Sequence, residues 1–149
     1  MNMDIALVYK FYLPNYGGIE MLMHTIAKGF LRNRSVNIRV ISTRYSQNLN
    51  ACERIDRVHV YRIPVTRMLM NQIDVGINSN ILKKLFTSVD TIHLFSSMPS
   101  HILITSLRLC RKLGKPCIWQ PIYIPNRFKY HRNLVIKFIG SLWDRYCFS

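Results

Sequence analysis

The run Ile5-Ala6-Leu7-Val8-Tyr9 is apolar at every position. Five residues are too few for a helix, and a strand wetted on one side would alternate apolar with polar. A strand with no polar side must be covered on both faces, the condition of a strand inside a parallel sheet layered between helices. Pro14, Asn15, Gly17 and Gly18 then mark a loop. Beyond it, Ile19, Leu22, Met23, Ile26, Ala27, Phe30 and Leu31 fall on one helical stripe. Glu20 sits in the first turn and Lys28, Arg32 and Arg34 near the end, where each sign suits the helix dipole.

The strand–helix alternation continues along the chain. Strands are predicted over residues 36–42, 58–63 (ended by Pro64) and 90–95. Residues 43–56 are polar and read as a loop. Residues 65–86 fit a helix loosely, with Gly76 and Asn78-Ser79-Asn80 as breakers. Ser96 or Ser97 is expected to cap the next helix, with Pro99 in its first turn. Leu103, Leu107 and Cys110 continue its buried face, Arg108, Arg111 and Lys112 crowd its last turn, and Gly114 stops it. Residues 117–119 begin a fifth strand limited by Pro121. A last amphipathic helix carries Leu134, Val135, Phe138, Ile139, Leu142 and Trp143, and Tyr146-Cys147-Phe148 reads as the first residues of a sixth strand. Such alternation implies one α/β domain with a parallel sheet of about five to six strands flanked by helices.

The net charge is +14, from 21 Lys and Arg against 7 Asp and Glu. That excess favours an anionic partner: phosphate-bearing ligands, an acidic membrane surface, nucleic acid or an acidic protein. Nucleic acid is the least favoured, because the aromatics sit in strand and helix patterns and form no stacking platform. Cys52, Cys110, Cys117 and Cys147 form no C-x-x-C pair and accompany no His cluster, so neither zinc nor a disulfide framework is expected. With no basic leader before the apolar start, the expected setting is the cytoplasm, and the Asn33-Arg34-Ser35 sequon is read as chance. No stretch approaches the ~18 apolar residues of a membrane span. Any membrane contact is expected to be peripheral, and Arg127, Lys129, Arg132 and Lys137 beside the last apolar stripe suit an anionic membrane surface. That stripe reads equally as core.

In α/β sheets, ligands bind beyond the carboxyl ends of the strands. Pro14-Asn15-Tyr16-Gly17-Gly18-Ile19-Glu20 lies at such an end, with glycines that admit a ligand and a helix N-terminus aimed at negative charge. The residues alone leave two readings open, a ligand loop or a tight strand–helix turn. The spacing is not G-x-G-x-x-G, which disfavours a dinucleotide cofactor. His93 is either a cleft residue or a hydrogen-bonded histidine at a strand end. His24 reads as structural or solvated, His101 could reach a cleft, and His59 and His131 lack partners at metal spacing. No Ser-His-Asp or Cys-His set can be assembled, and no catalytic residue is assigned.

A short apolar strand, an aromatic-Pro loop and Gly17-Gly18-Ile19-Glu20 opening a helix together resemble the start of family 4 retaining glycosyltransferases. Asp90-Thr91-Ile92-His93-Leu94 is similar to that family's Asp-x-Ile-His strand. Gly114-Lys115-Pro116 before Cys117-Ile118-Trp119 is similar to its Gly-Lys-Pro lead into the next strand, and Asp144 to Ser149 resembles a later strand ending in Ser. The resemblance implies a GT-B enzyme: two Rossmann-like domains with the active site between them, the N-terminal one binding acceptor and the C-terminal one most of the sugar nucleotide. Carried over, Gly17 and Gly18 would face the donor diphosphate, His93 would lie at the carboxyl end of a central strand near the cleft, and Glu20, Gln120 and Tyr123 would complete the substrate side. No permanently bound cofactor is implied, only a nucleotide-sugar donor.

Two departures shape the expectation. The family's two glutamates seven residues apart cannot be formed, since Glu20 and Glu53 are the only glutamates. Residues 1–149 are therefore read as an incomplete acceptor-side domain, either a truncated gene product or one subunit of a split enzyme whose partner is a separate donor-binding subunit. Ile122 and Ile124 stand where many relatives carry the histidines of Thr-Pro-His-Tyr-His-Pro, and isoleucine can neither donate a hydrogen bond nor take up a proton. The expected function is a glycosyltransferase part, inactive alone. The alternatives are a non-catalytic binding module or decayed fragment with a basic surface, and a basic nucleic-acid-binding protein.

Overall fold

A computed structural model describes residues 2–32, 35–69, 73–98 and 100–122. The residues expected to form a last helix and a strand at 146–148, with Tyr123, Ile124 and the basic residues from Arg127 onward, lie outside the described residues.

The apolar run becomes β1 (Met3–Val8), and the stripe after the glycines becomes α1 (Gly18–Phe30). There follow β2 (Val36–Arg44), β3 (Cys52–Ile55), β4 (Val58–Pro64), β5 (Arg67–Leu69) and β6 (Ile73–Val75). The described part closes with α2 (Ser79–Thr87), β7 (Thr91–Ser96), α3 (His101–Leu113) and β8 (Cys117–Pro121). Six strands form one sheet in the order β3-β4-β2-β1-β7-β8, all parallel except β3 against β4. The expected α/β architecture, a Rossmann-like sheet flanked by helices, is what the chain adopts.

The sheet separates two apolar clusters. Ala6, Val8, Ile41, Ile63, Ile92 and Leu94 pack with Leu82 and Phe86 of α2 and Ile102 and Leu103 of α3. On the other side, Ile5, Leu7, Val40, Val60 and Phe95 pack with Ile19, Met23 and Ala27 of α1. Alternate residues of β1 thus enter different clusters, which is why the run carries no polar position.

Three local expectations are corrected. Residues 43–56 contain β3 as well as loop. Its exposed side carries Cys52 and Arg54, so it lacks an apolar period, and it pairs with β4 through a turn at Asp56 (φ 48) and Arg57 (φ 72), the backbone of a tight two-residue hairpin. Residues 65–86 are not one loose helix: β5 and β6 pair antiparallel, and Asn78 starts α2 instead of breaking it. The Asn78 Oδ1 accepts from the amides of Asn80 and Ile81 at 3.1 and 3.2 Å. The cap of α3 is Ser100, whose Oγ accepts from the Leu103 amide at 3.3 Å, and not Ser96 or Ser97. The Ser96 Oγ accepts from the Trp119 indole at 2.8 Å, and the Ser97 Oγ bonds the Tyr9 hydroxyl at 2.9 Å. On α1 the buried face is rotated from the expected stripe, with Glu20 and His24 inside and Leu22 exposed.

Candidate functional site at the carboxyl end of the sheet

The strand order turns outward in both directions from β1, to β2 on one side and β7 on the other. That reversal is where open α/β sheets leave a crevice. The segments leaving β1 and β7 there are 9–17 and 97–100.

The 9–17 segment is held from several sides. The Lys10 carbonyl accepts from the Thr43 amide at 3.1 Å and from its hydroxyl at 2.5 Å. The Lys10 side chain is buried, its ammonium 5.1 Å from the Phe11 ring centroid. Tyr12 is fully buried and its hydroxyl lies 2.7 Å from the His24 Nδ1. The His24 Nε2 lies 3.1 Å from the Asp56 carboxylate. A carboxylate only accepts, so Nε2 donates to Asp56 and, in the neutral ring, Nδ1 accepts from Tyr12. Burial, reinforced by the Asp56 charge, pushes the Tyr12 phenol up from its ordinary range and keeps it a donor. Arg62, buried on β4, donates to the Leu13 carbonyl at 2.6 Å and the Asn50 carbonyl at 3.0 Å, and pairs with Glu53 on β3.

Hydrogen bonds from His24, then Lys28, hold the Asp56 carboxyl below its ordinary range. A carboxyl depressed by folding stabilises the fold above its unfolded value and loses that contribution as pH falls through the folded one. Asp56→Asn is therefore expected to flatten the acid-side loss of stability, read by urea unfolding between about pH 5 and pH 3.

At the tip of the loop, Asn15 donates to the Glu20 Oε1 at 2.6 Å. Glu20 is buried, and its carboxylate lies against Gly17: a Cβ there would meet Oε2 at 2.3 Å. A side chain at Gly17 would therefore have to push the end of the Glu20 side chain aside. Gly18 is not required by its surroundings, since a Cβ there meets no atom within 4 Å. Gly17 gives α1 no side-chain cap. The first helical amides have no intrahelical partner, so they remain for solvent or a ligand. Tyr16, beside them, is 78% exposed. Among the described residues, one opening lies at the ends of two neighbouring strands and a second is lined by this loop itself. The first, of about 610 Å³, lies at the carboxyl ends of β2 and β4 beside Arg44, Tyr45, Pro64 and Thr66. The second, of about 300 Å³, lies under Leu13, Pro14 and Tyr16, against Leu49, Glu53 and Ile55.

His93 and Gln120 meet on β7 and β8. The Gln120 Oε1 accepts from the His93 Nε2 at 2.9 Å, which leaves Nδ1 as the acceptor. Burial lowers the His93 pKa, opposed by the Gln120 hydrogen bond. The ring stacks on Phe95 at 4.3 Å. His93 stands in mid-strand, opposite Leu7 and Ile118, and not at the carboxyl end, because β7 continues to Ser96. No hydrogen bond among the described residues joins this pair to Gly17, Gly18 and Glu20. Ile122 packs against the α1-side apolar cluster, and its amide donates to the Ser96 carbonyl at 2.6 Å.

Around α3, the His101 Nδ1 accepts from the amides of Gly76 and Ile77, each at 3.1 Å. The Asp74 Oδ2 accepts from the Ile102 amide at 2.6 Å. Burial raises the Asp74 pKa, against the pull of that amide and the more distant charges of Lys10 and His101. Sequence reasoning missed Lys10, Tyr12, Arg62 and Asp74. Only Lys10 left a signal, a cation placed directly after an apolar strand.

Among the described residues, no three His, Cys, Asp or Glu side chains converge as a metal site, and no helix is long and apolar enough to cross a membrane. No protein-family model matches the sequence, and no curated protein matches it. Among solved structures the chain is similar to the sucrose-phosphate synthase of Thermosynechococcus elongatus, with TM-score 0.54 and 11% identity. The match covers 95% of this chain and 40% of that one, so the chain spans less than half the length of that enzyme. At this identity the likeness is one of fold: a Rossmann-like domain of the kind found in a glycosyltransferase.

Proposed function

We propose that the chain forms the acceptor-side wall of a GT-B glycosyltransferase cleft, of the retaining family 4 type, and that a second Rossmann-like domain, on the same polypeptide or another, binds the nucleotide-sugar donor. Gly18 carries this reading. Nothing among the described residues needs a glycine there, yet it opens an uncapped helix at the strand-order reversal, where a donor diphosphate could approach the amides. The exposed Tyr16 ring offers a stacking face for a sugar, and the opening beside Tyr45 and Thr66 is of a size to seat an acceptor. Neither glutamate stands free to act as an acid or a base. Glu20 is held by Asn15, and Glu53 is paired with Arg62.

The test is transfer from UDP- and GDP-sugars by the purified chain, alone and with lysate fractions of the source cells. No turnover alone and transfer with a complementing fraction are the expected results. In that mixture Gly18→Leu is expected to lower transfer by about 100-fold while the unfolding midpoint stays in place. Turnover by the chain alone would show that no second domain is needed. An unaffected Gly18→Leu would remove the diphosphate role.

Ile122 favours a second reading, a non-catalytic binding module. It packs against the core where a proton-bearing side chain would be needed. Silence in every fraction from a folded chain would support that reading.

A further inference from the structure

We infer that the sheet carries a second site, for a phosphate-type oxyanion, at its β3–β4–β2 side, built on Arg39, Arg54, Arg57 and His59. Register places three of these residues in one row: Arg39 on β2 opposes His59 on β4, and His59 opposes Arg54 on β3. Neighbouring strands lie about 4.8 Å apart, so the two arginines start about 10 Å apart on either side of the imidazole. Arg57, in the hairpin turn, joins them around a cavity of about 340 Å³ that Tyr61 also lines.

The cations outnumber the acids available to them. Among the described residues Asp4 is the only carboxylate lining the cavity, and it is bound to Arg39 at 2.9 Å. Asp56, next to Arg57 in sequence, is taken by His24 and Lys28, and Glu53 is taken by Arg62. The Arg54 Nε donates to the His59 Nε2 at 3.1 Å, so that nitrogen is an acceptor and the neutral ring carries its proton on Nδ1. Arg54 thus keeps its terminal guanidinium nitrogens, and Arg57 has no hydrogen bond or ion pair among the described residues. Arg57 is also held at φ 72, in a turn position where glycine is the ordinary choice. A long cation kept in that backbone conformation, over a cavity with no spare acid, fits an anionic ligand.

The chemistry favours phosphate. Guanidinium forks present parallel donors that match phosphate oxygens two at a time. Leu31, Val36 and Ile38 close the same cavity with apolar walls, which suits a compact anion and not a nucleic-acid backbone running across a surface. The phosphate could belong to a soluble ester or to a lipid headgroup.

Calorimetric titration of the chain with inorganic pyrophosphate at low salt tests the site, beside flotation with phosphatidylcholine vesicles with and without phosphatidic acid. The decisive variant is Arg54→Ala/Arg57→Gly, whose glycine suits the turn, so the fold is expected to hold. Its pyrophosphate affinity is expected to fall at least about tenfold, while Arg108→Ala/Arg111→Ala on α3 leaves it unchanged. Saturable pyrophosphate binding without flotation assigns a soluble ester. Flotation that needs phosphatidic acid and is lost in the Arg54/Arg57 variant assigns a headgroup. Equal affinity in the two double variants, or neither pyrophosphate binding nor flotation, would overturn the site.

Discussion

Glu53→Ala is expected to destabilise the protein by about 3–5 kcal/mol, because it strands a buried charge. The Arg62 side chain has no exposed surface, whereas the Glu53 side chain is 28% exposed. Two carbonyls, of Asn50 and Leu13, remain as partners in the variant, but neither carries a full negative charge, and the Arg62 Nε already has no hydrogen-bond partner among the described residues. Domains of this size are stable by about 5–15 kcal/mol, so such a loss is a large share of the total. Urea unfolding followed by circular dichroism gives the number. The double variant Arg62→Met/Glu53→Gln is expected to be less destabilised than Glu53→Ala, since removing both charges also removes the desolvation penalty. A loss below about 1 kcal/mol in Glu53→Ala would place the pair among ordinary surface ion pairs. Arg62→Met also releases the Leu13 carbonyl, so it loosens the loop that carries Gly17 and Gly18.

Gly76→Ala is expected to cost about 2–5 kcal/mol, from two sources. The residue lies at φ 74, where a side chain is strained, and the added Cβ would meet the Thr66 Oγ1 at 2.1 Å and the Thr66 Cβ at 2.5 Å. Thr66 cannot simply step aside, because its amide and hydroxyl both donate to the Gly76 carbonyl. Adding Thr66→Gly is expected to recover the steric part and leave the backbone part, so the double-mutant cycle should show a coupling of about 1–3 kcal/mol. Thermal unfolding of the four proteins measures it. The damage is expected to spread to α3, since the Gly76 and Ile77 amides rest on His101 and Asp74 caps the same helix.

The elements legible from sequence are those whose burial repeats at short range. β1 shows itself by an unbroken apolar run, and α1 by residues such as Met23 and Ala27 on one face. β3, β5 and β6 were not legible, because each pairs on only one side and leaves alternate residues in water. Asn78 reads as a breaker in the sequence because the same short amide side chain can end a helix or begin one, and only the following apolar positions decide which. At the site, the glycine loop was legible as a place. Tyr12, Arg62 and Asp74 were not, because a buried polar residue is recognised by its partners, and theirs come from distant segments: His24, Glu53 with Leu13, and Ile102. For His93 the sequence leaves a cleft residue or a hydrogen-bonded strand-end histidine open; the ring is hydrogen-bonded to Gln120, but β7 runs three residues further.

The β3–β4 hairpin also bears on the order of events as the chain folds. In the main sheet it is the pairing whose strands adjoin in sequence, joined by a turn of two residues, whereas β1 must find β2 across α1 and β7 across most of the described chain. Hairpins close in about 1–10 μs, and pairings that wait on long loops close more slowly. β4 can therefore be in place early, a short ready-made edge against which β2, then β1 and β7, are laid in register. The central strands, which hold most of the finished core, would be the last to arrive.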